Sequence, residues 1–246
     1  MRLRTRLGGR LYSFRGVKDV LAKANEEKSG DILAGVAAES AEERIAAKQV
    51  VAALTLEELR NNPVVPYDED EVTRVIQDGV NETSYAAIRN WTVTELRETI
   101  MSDGTTPERI EWISRGLTSE MVAAVAKICS NLDLLYGAKK IRRIKRCNTT
   151  VGLPGTLCMR LQPNHPVDDV TGVLASLMEG LSYGCGDAVI GLNPCIDDPE
   201  SVGRLLRTFQ EFMDKWKIPA QQCVLGHVTT QMKAVEAGAP TGLMFQ

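Results

Sequence analysis

GDAVIGLNPCIDDPESVGRLLRTFQEFMDKWKIPAQQCVLGHVTTQ, residues 186–231, decides the fold. It opens on a short apolar run, DAVIGLNP, passes into an amphipathic helical pattern, DPESVGRLLRTFQEFMDKWK, and returns to a second apolar run, QQCVLGHVT. No hairpin turn joins the two runs, and the helical stretch between them is long enough to carry the chain back. They read as parallel strands joined by a crossover helix. The rhythm extends both ways. TLCMRLQ (156–162) precedes the helical DDVTGVLASLMEGLSYG, and TTQMKAVEAG precedes a fourth run, TGLMFQ (241–246). Repetition of this unit means a parallel sheet, either doubly wound or a (β/α)8 barrel. Neither a Walker A loop nor a strand-turn-helix G-x-G-x-x-G is present, so the nucleotide-binding version loses support.

Upstream of residue 150 the rhythm is helical. Ser40-x-x-Glu43 opens an apolar-periodic stretch through Ile45, Val50 and Leu54. Thr55-x-x-Glu58 and Thr92-x-x-Glu95 have the capping-box form, in which hydroxyl and carboxylate each satisfy an orphan backbone donor. Thr106-Pro107 supplies a cap and a first-turn proline. Thr118 starts a helix expected to bury Val122, Val125, Ala126 and Cys129. The start, LRTRLGGRLYSF from Leu3, alternates around a glycine turn and reads as a β-hairpin, not an export signal. The expected class is therefore α/β: a helical region over 1–150, then the first roughly four βα units of a TIM barrel over 151–246. Four units cannot close a barrel, so the expectation is part of a longer polypeptide.

Composition limits the function classes. At 43% hydrophobic and 25% charged, the 246 residues can build a sizeable core, and 29 basic against 32 acidic residues argue against a nucleic-acid partner. Six cations in Lys139–Arg146 form the sharpest charge feature, but no aromatic residue interleaves them, so a solvated connector is the reading. No apolar run of about 18 residues offers a membrane span. The six cysteines contain no C-x-x-C pair and are expected to be reduced and mostly buried, in a cytoplasmic protein. Only His165 and His227 are available as imidazole ligands, so no protein metal site is expected.

The polar residues of the strands collect at their carboxyl ends: Arg160 and Gln162, then Asn193-Pro194, then His227 with Thr229 and Thr230, then Gln246. In a parallel barrel those ends converge on the ligand-binding face. The face carries one guanidinium and several amides, with neither a carboxylate pair nor a Ser-His-Asp set. Such residues orient a small polar molecule without moving protons, which suits chemistry performed by a cofactor.

These residues carry a resemblance. VKDVLAKANEEKSGDILAGVAAES, RNNPVVPY, RGLTSEMVAAVAKICSN, YGAKK, RLQPN, GDAVIGLNP, HVTTQ and GLMFQ, spread nearly end to end, resemble the N-terminal portion of the large, catalytic subunit of ethanolamine ammonia-lyase. The resemblance implies adenosylcobalamin, bound base-on, and radical deamination of ethanolamine to acetaldehyde and ammonia. It implies that Arg160 is catalytic, that Arg160 and Asn193 hold the substrate hydroxyl, that Gln162 meets the amino group, and that Pro194 and Gln246 touch the corrinoid. Its implied partners are the small subunit and further large subunits, in the cytoplasm or a bacterial microcompartment. The isolated 246 residues are expected to be inactive, because the carboxylates gripping the ammonium lie past Gln246. The alternatives are another parallel-barrel enzyme for a small polar substrate, or an inactive fragment retained for assembly.

Overall fold

A computed structural model describes residues 3–245. The chain divides into two compact units, Met1–Arg142 and Arg143–Gln246. In the first, β1 (Leu3–Leu7) and β2 (Arg10–Phe14) form the expected hairpin, with Thr5 opposite Tyr12 and Gly8 and Gly9 both left-handed in the turn. Helices follow: α1 (Val17–Lys23), α2 (Ser29–Leu33), α3 (Ala41–Ala53), α4 (Leu56–Asn61), α5 (Glu71–Asp78), α6 (Glu82–Ile88), α7 (Val93–Met101), α8 (Pro107–Ser114), α9 (Ser119–Ile128) and α10 (Asn131–Lys140).

The local signals act where the sequence placed them. Ser40 caps α3, and Thr106 caps α8 ahead of Pro107. Thr55 with Glu58 and Thr92 with Glu95 both close reciprocal boxes. The two boxes also clasp each other: Leu56 N donates to Trp91 O and Val93 N to Leu54 O, each at 2.9 Å. Lys140, from the basic run, donates its ammonium to the carbonyls of Ile100, Met101 and Ser102 and so satisfies the orphan end of α7.

Two face assignments need correction. In α9 the buried side chains are Met121, Ala124 and Val125, with Ile128 and Cys129 half-buried against the same core, whereas Val122 (54% exposed) and Ala126 face outward. The segment is apolar nearly all round, so periodicity alone does not select its stripe. In α3 Ala46, Ala47, Val50 and Val51 are buried and Ile45 is exposed. Small alanines take the inward positions because the helix packs closely on α1 and β1.

The second unit begins with a short antiparallel pair, β3 (Lys145–Arg146) and β4 (Thr150–Val151). β5 (Arg160–Leu161), α11 (Val170–Ser182), β6 (Val189–Leu192), α12 (Pro199–Trp216), β7 (Gln221–Val224) and α13 (Val228–Glu236) then alternate. The three long-range strands are parallel and lie in chain order, β5-β6-β7. The expected TLCMRLQ strand shrinks to Arg160–Leu161, and TGLMFQ contributes one parallel bridge, Phe245 to Leu225. Among the described residues the sheet is open, with no reversal of strand order and no closed barrel.

One sheet face packs on the helices: Leu161, Ile190, Leu192 and Val224 join Val173, Leu177, Val202, Leu205, Leu206, Phe209 and Met213 in a single core. Alternation along the strands therefore turns Arg160, Gly191 and Cys223 to the other face. The amino ends are closed by the β3–β4 connection. Asn148 donates to Ala220 O, Thr149 N donates to Gln221 Oε1 at 3.1 Å, and the Thr149 hydroxyl lies within reach of Asp187 O and Pro219 O. Asp187, just before β6 and so at the end opposite the polar residues, accepts from Met159 N there. Among the described residues no helix is long and apolar enough to cross a membrane. The cysteines carry no disulfide, but only Cys223 is fully buried; Cys147 and Cys195 are exposed, because both lie in loops beyond strand ends.

Candidate active site

Arg160 opens β5 and pairs with Val189, while Gly191 on β6 pairs with Cys223 on β7. The guanidinium carbon sits 4.6 Å from the centroid of the Phe245 ring. Its Nε and Nη2 are buried and, among the described residues, donate to no partner. A buried donor without a partner costs about 1–3 kcal/mol, so two in one guanidinium are a substantial expense for a fold to retain. Burial pushes the neighbouring Cys223 thiol upward in pKa, and the Arg160 charge opposes that rise.

The other proposed residues lie along the same strand ends. Gln162 follows β5, is exposed, and shares a side with Arg160 by alternation. Asn193 and Pro194 follow β6, Asn193 exposed and Pro194 half-buried. The parallel register continues past the strands, since Asn193 N donates to Asn164 Oδ1 at 2.9 Å. Arg160, Gln162 and Asn193 are thus gathered at the carboxyl ends of two adjacent strands. Gln246 lies outside the described residues. Neither histidine is free: His227 caps α13 with Nδ1, and His165 Nδ1 accepts from Val167 N and Asp169 N. Among the described residues no cluster of three His, Cys, Asp or Glu side chains is placed to hold a metal ion.

Sequence reasoning missed the groups that fix this face. Two Asp-Asp pairs, 168–169 and 197–198, precede α11 and α12. The second member of each caps its helix: Asp169 accepts from Gly172 N at 2.8 Å, and Asp198 from Glu200 N and Ser201 N at 2.9 and 3.0 Å. The backbone donors, Ser201 N first, hold the Asp198 carboxyl below its ordinary range. The first member reaches sideways instead. Asp168 accepts from Cys195 N at 2.7 Å and Asp197 from His227 N at 2.9 Å. Each loop is thereby tied to the next, and Gln231 carries the chain of ties on to Gly226 O and Phe245 O. The doubled aspartates were the available signal, but a cap reading accounts for only one of each pair. The Cys195 thiol is pushed up in pKa by desolvation and then by the Asp168 carboxylate.

A family model described as ethanolamine ammonia lyase large subunit matches residues 12–246. The chain is 58% identical over 246 residues to the ethanolamine ammonia-lyase large subunit of Escherichia coli (strain K12), covering 100% of this chain and 54% of that protein. The same identity and coverage hold for the protein of that name from Salmonella typhimurium (strain LT2). The chain therefore spans about half the length of the curated relatives it matches. It belongs to the ethanolamine ammonia-lyase large subunit family.

Proposed function

We propose that this chain supplies one side of the ethanolamine site of an adenosylcobalamin-dependent ammonia-lyase, the whole protein converting ethanolamine to acetaldehyde and ammonia. The observation that carries the reading is the Arg160 guanidinium, with Nε and Nη2 buried and unpartnered on the polar face of the sheet. A neutral hydroxyl fits two such donors. Asn193 offers its side-chain amide to the same oxygen, and the carbonyl of the Gln162 amide accepts from the substrate ammonium. The fixed cation beside the hydroxyl favours negative charge developing on oxygen as the amino group leaves, and it needs no proton transfer to do so.

Adenosylcobalamin, when bound, supplies the radical that takes hydrogen from the substrate carbon bearing the hydroxyl. Pro194, on the loop after β6, and Gln246, which lies outside the described residues, are the proposed contacts to the corrinoid. Neither histidine lies in an Asp-x-His-x-x-Gly segment, which favours base-on binding of the cofactor. The chain-ordered parallel strands favour the opening part of a (β/α)8 barrel, with a helical region before it. The partners on this reading are the small subunit and further large subunits, and the proposed setting is the cytoplasm or a bacterial microcompartment within it.

The test is the full-length chain assembled with its small subunit and adenosylcobalamin, assayed for acetaldehyde. Arg160→Ala is expected to lower kcat/KM on the order of 10²-fold or more. Near-normal turnover by that variant would dismiss the assignment.

A further inference from the structure

Gly191 is the centre residue of the sheet's polar face, and its backbone is that of an ordinary strand, not left-handed. Glycine inside a strand weakens it, and conformational need does not explain this one. Space does. A β-carbon on Gly191 would overlap the Cys223 sulfur outright, and it would lie 3.1 Å from the Cys223 carbonyl oxygen and 3.5 Å from Arg160 Nη2. The sulfur of the fully buried Cys223 fills the place where a side chain would stand, and the guanidinium lies against the same bare α-carbon. Phe245 covers the guanidinium carbon. Among the described residues the arginine is thus confined by packing, and its Nε and Nη2 are spent on no acceptor.

We propose that Gly191 and Cys223 are a mated pair of positioning residues that seat Arg160 and thereby set the enzyme's affinity for its small amino alcohol. A hydrogen-bonded seat would consume the donors that the substrate needs. A glycine slot with a neutral thiol beside it holds the cation without competing for it. A thiolate in the same place would pair with the guanidinium, and burial acts against that form. The inference rests on the ethanolamine reading of Arg160 and adds what places that residue.

A double-variant cycle in the full-length holoenzyme tests it, reading KM and kcat for ethanolamine separately. Gly191→Ala is expected to raise KM on the order of tenfold, because the new methyl displaces the sulfur and with it the guanidinium; Cys223→Ala alone is expected to raise it less than about threefold. Combining the two vacates the contested space, and the double variant is expected to have a KM at least about threefold below that of Gly191→Ala. An unchanged KM in Gly191→Ala, or a double variant no better than that single one, would overturn the pairing. If Gly191→Ala does not assemble, Cys223→Val against Cys223→Ser decides: valine is expected to raise KM at least about threefold over serine, and equal values overturn the proposal. A purely structural role would lower melting temperature and yield while leaving the KM of the assembled fraction untouched. Wild-type enzyme in the same assay separates the two readings. Failure of wild type to deaminate ethanolamine sinks both, whereas normal wild type with unaffected variants sinks only the pairing.

Discussion

The Asp168 carboxylate accepts the Cys195 backbone N–H at 2.7 Å and so fastens the loop after β5 to the loop after β6, one residue beyond Pro194. Asn164 holds the other side of that segment through Asn193 N. Asn193-Pro194 is therefore bracketed by two side chains of the preceding loop. Asp168 is 3% exposed and adopts a left-handed backbone at φ 51°, a conformation that costs a residue with a β-carbon about 1 kcal/mol or more. Strain of this kind persists only where the surroundings over-determine it.

Replacing that clamp has a graded outcome. Asp168→Ala loses the acceptor and keeps the strain, and is expected to destabilise the protein by roughly 2–4 kcal/mol. Asp168→Asn keeps an acceptor and tolerates the left-handed backbone, so it should cost clearly less. Urea unfolding of the two variants checks the order; equal losses would show that the hydrogen bond to Cys195 carries no weight.

The capping boxes give a local prediction. Thr92→Ala removes the acceptor for Glu95 N and the hydroxyl that donates to the Glu95 carboxylate, so a loss of about 1 kcal/mol is expected, read as a fall in melting temperature.

Acid stability has a defined contributor in Asp133. Its carboxylate accepts from Arg97 at 2.8 Å and from Ser130 N, and these partners, Arg97 first, pull its pKa from 3.8 to about 2. A depressed folded-state value means that the stabilisation is fully present above pH 3.8 and is lost as pH falls toward about 2. Asp133→Asn should flatten stability over that interval and leave its slope near neutrality unchanged. A variant with the wild-type acid profile would contradict the assignment.

Phe245 bears on the substrate through Arg160. Phe245→Leu keeps an apolar side chain and removes the ring face over the guanidinium, an interaction worth about 0.5–1 kcal/mol at a partly exposed site. A two- to fivefold rise in KM for ethanolamine, roughly what that energy yields, is the expected result. The same variant with unchanged KM would leave the ring a packing group only.

What the sequence disclosed follows the range of the interactions. The boxes at Thr55 and Thr92 were legible because donor and acceptor stand three residues apart. The parallel strands around Ile190 and Val224 were legible because a buried strand needs a continuous apolar run. The outward face of Val122 was not, since an almost wholly apolar helix gives no internal sign of which side meets its neighbours. The roles of Asp168, Gly191 and Phe245 were also hidden. Each depends on a partner brought close by the register of a neighbouring strand, and a cap reading of Asp168-Asp169 was locally sufficient. Arg160 and Asn193 could be singled out by position at strand ends, but the unpartnered state of the guanidinium could only be seen in three dimensions.

The most direct test of the central claim is a structure of the full-length protein with ethanolamine bound. The account predicts the substrate hydroxyl within hydrogen-bond distance, about 2.7–3.2 Å, of Arg160 Nε or Nη2, with Asn193 and Gln162 completing its contacts. A carboxylate from elsewhere in the polypeptide occupying those two donors, with ethanolamine bound at another place, would contradict it.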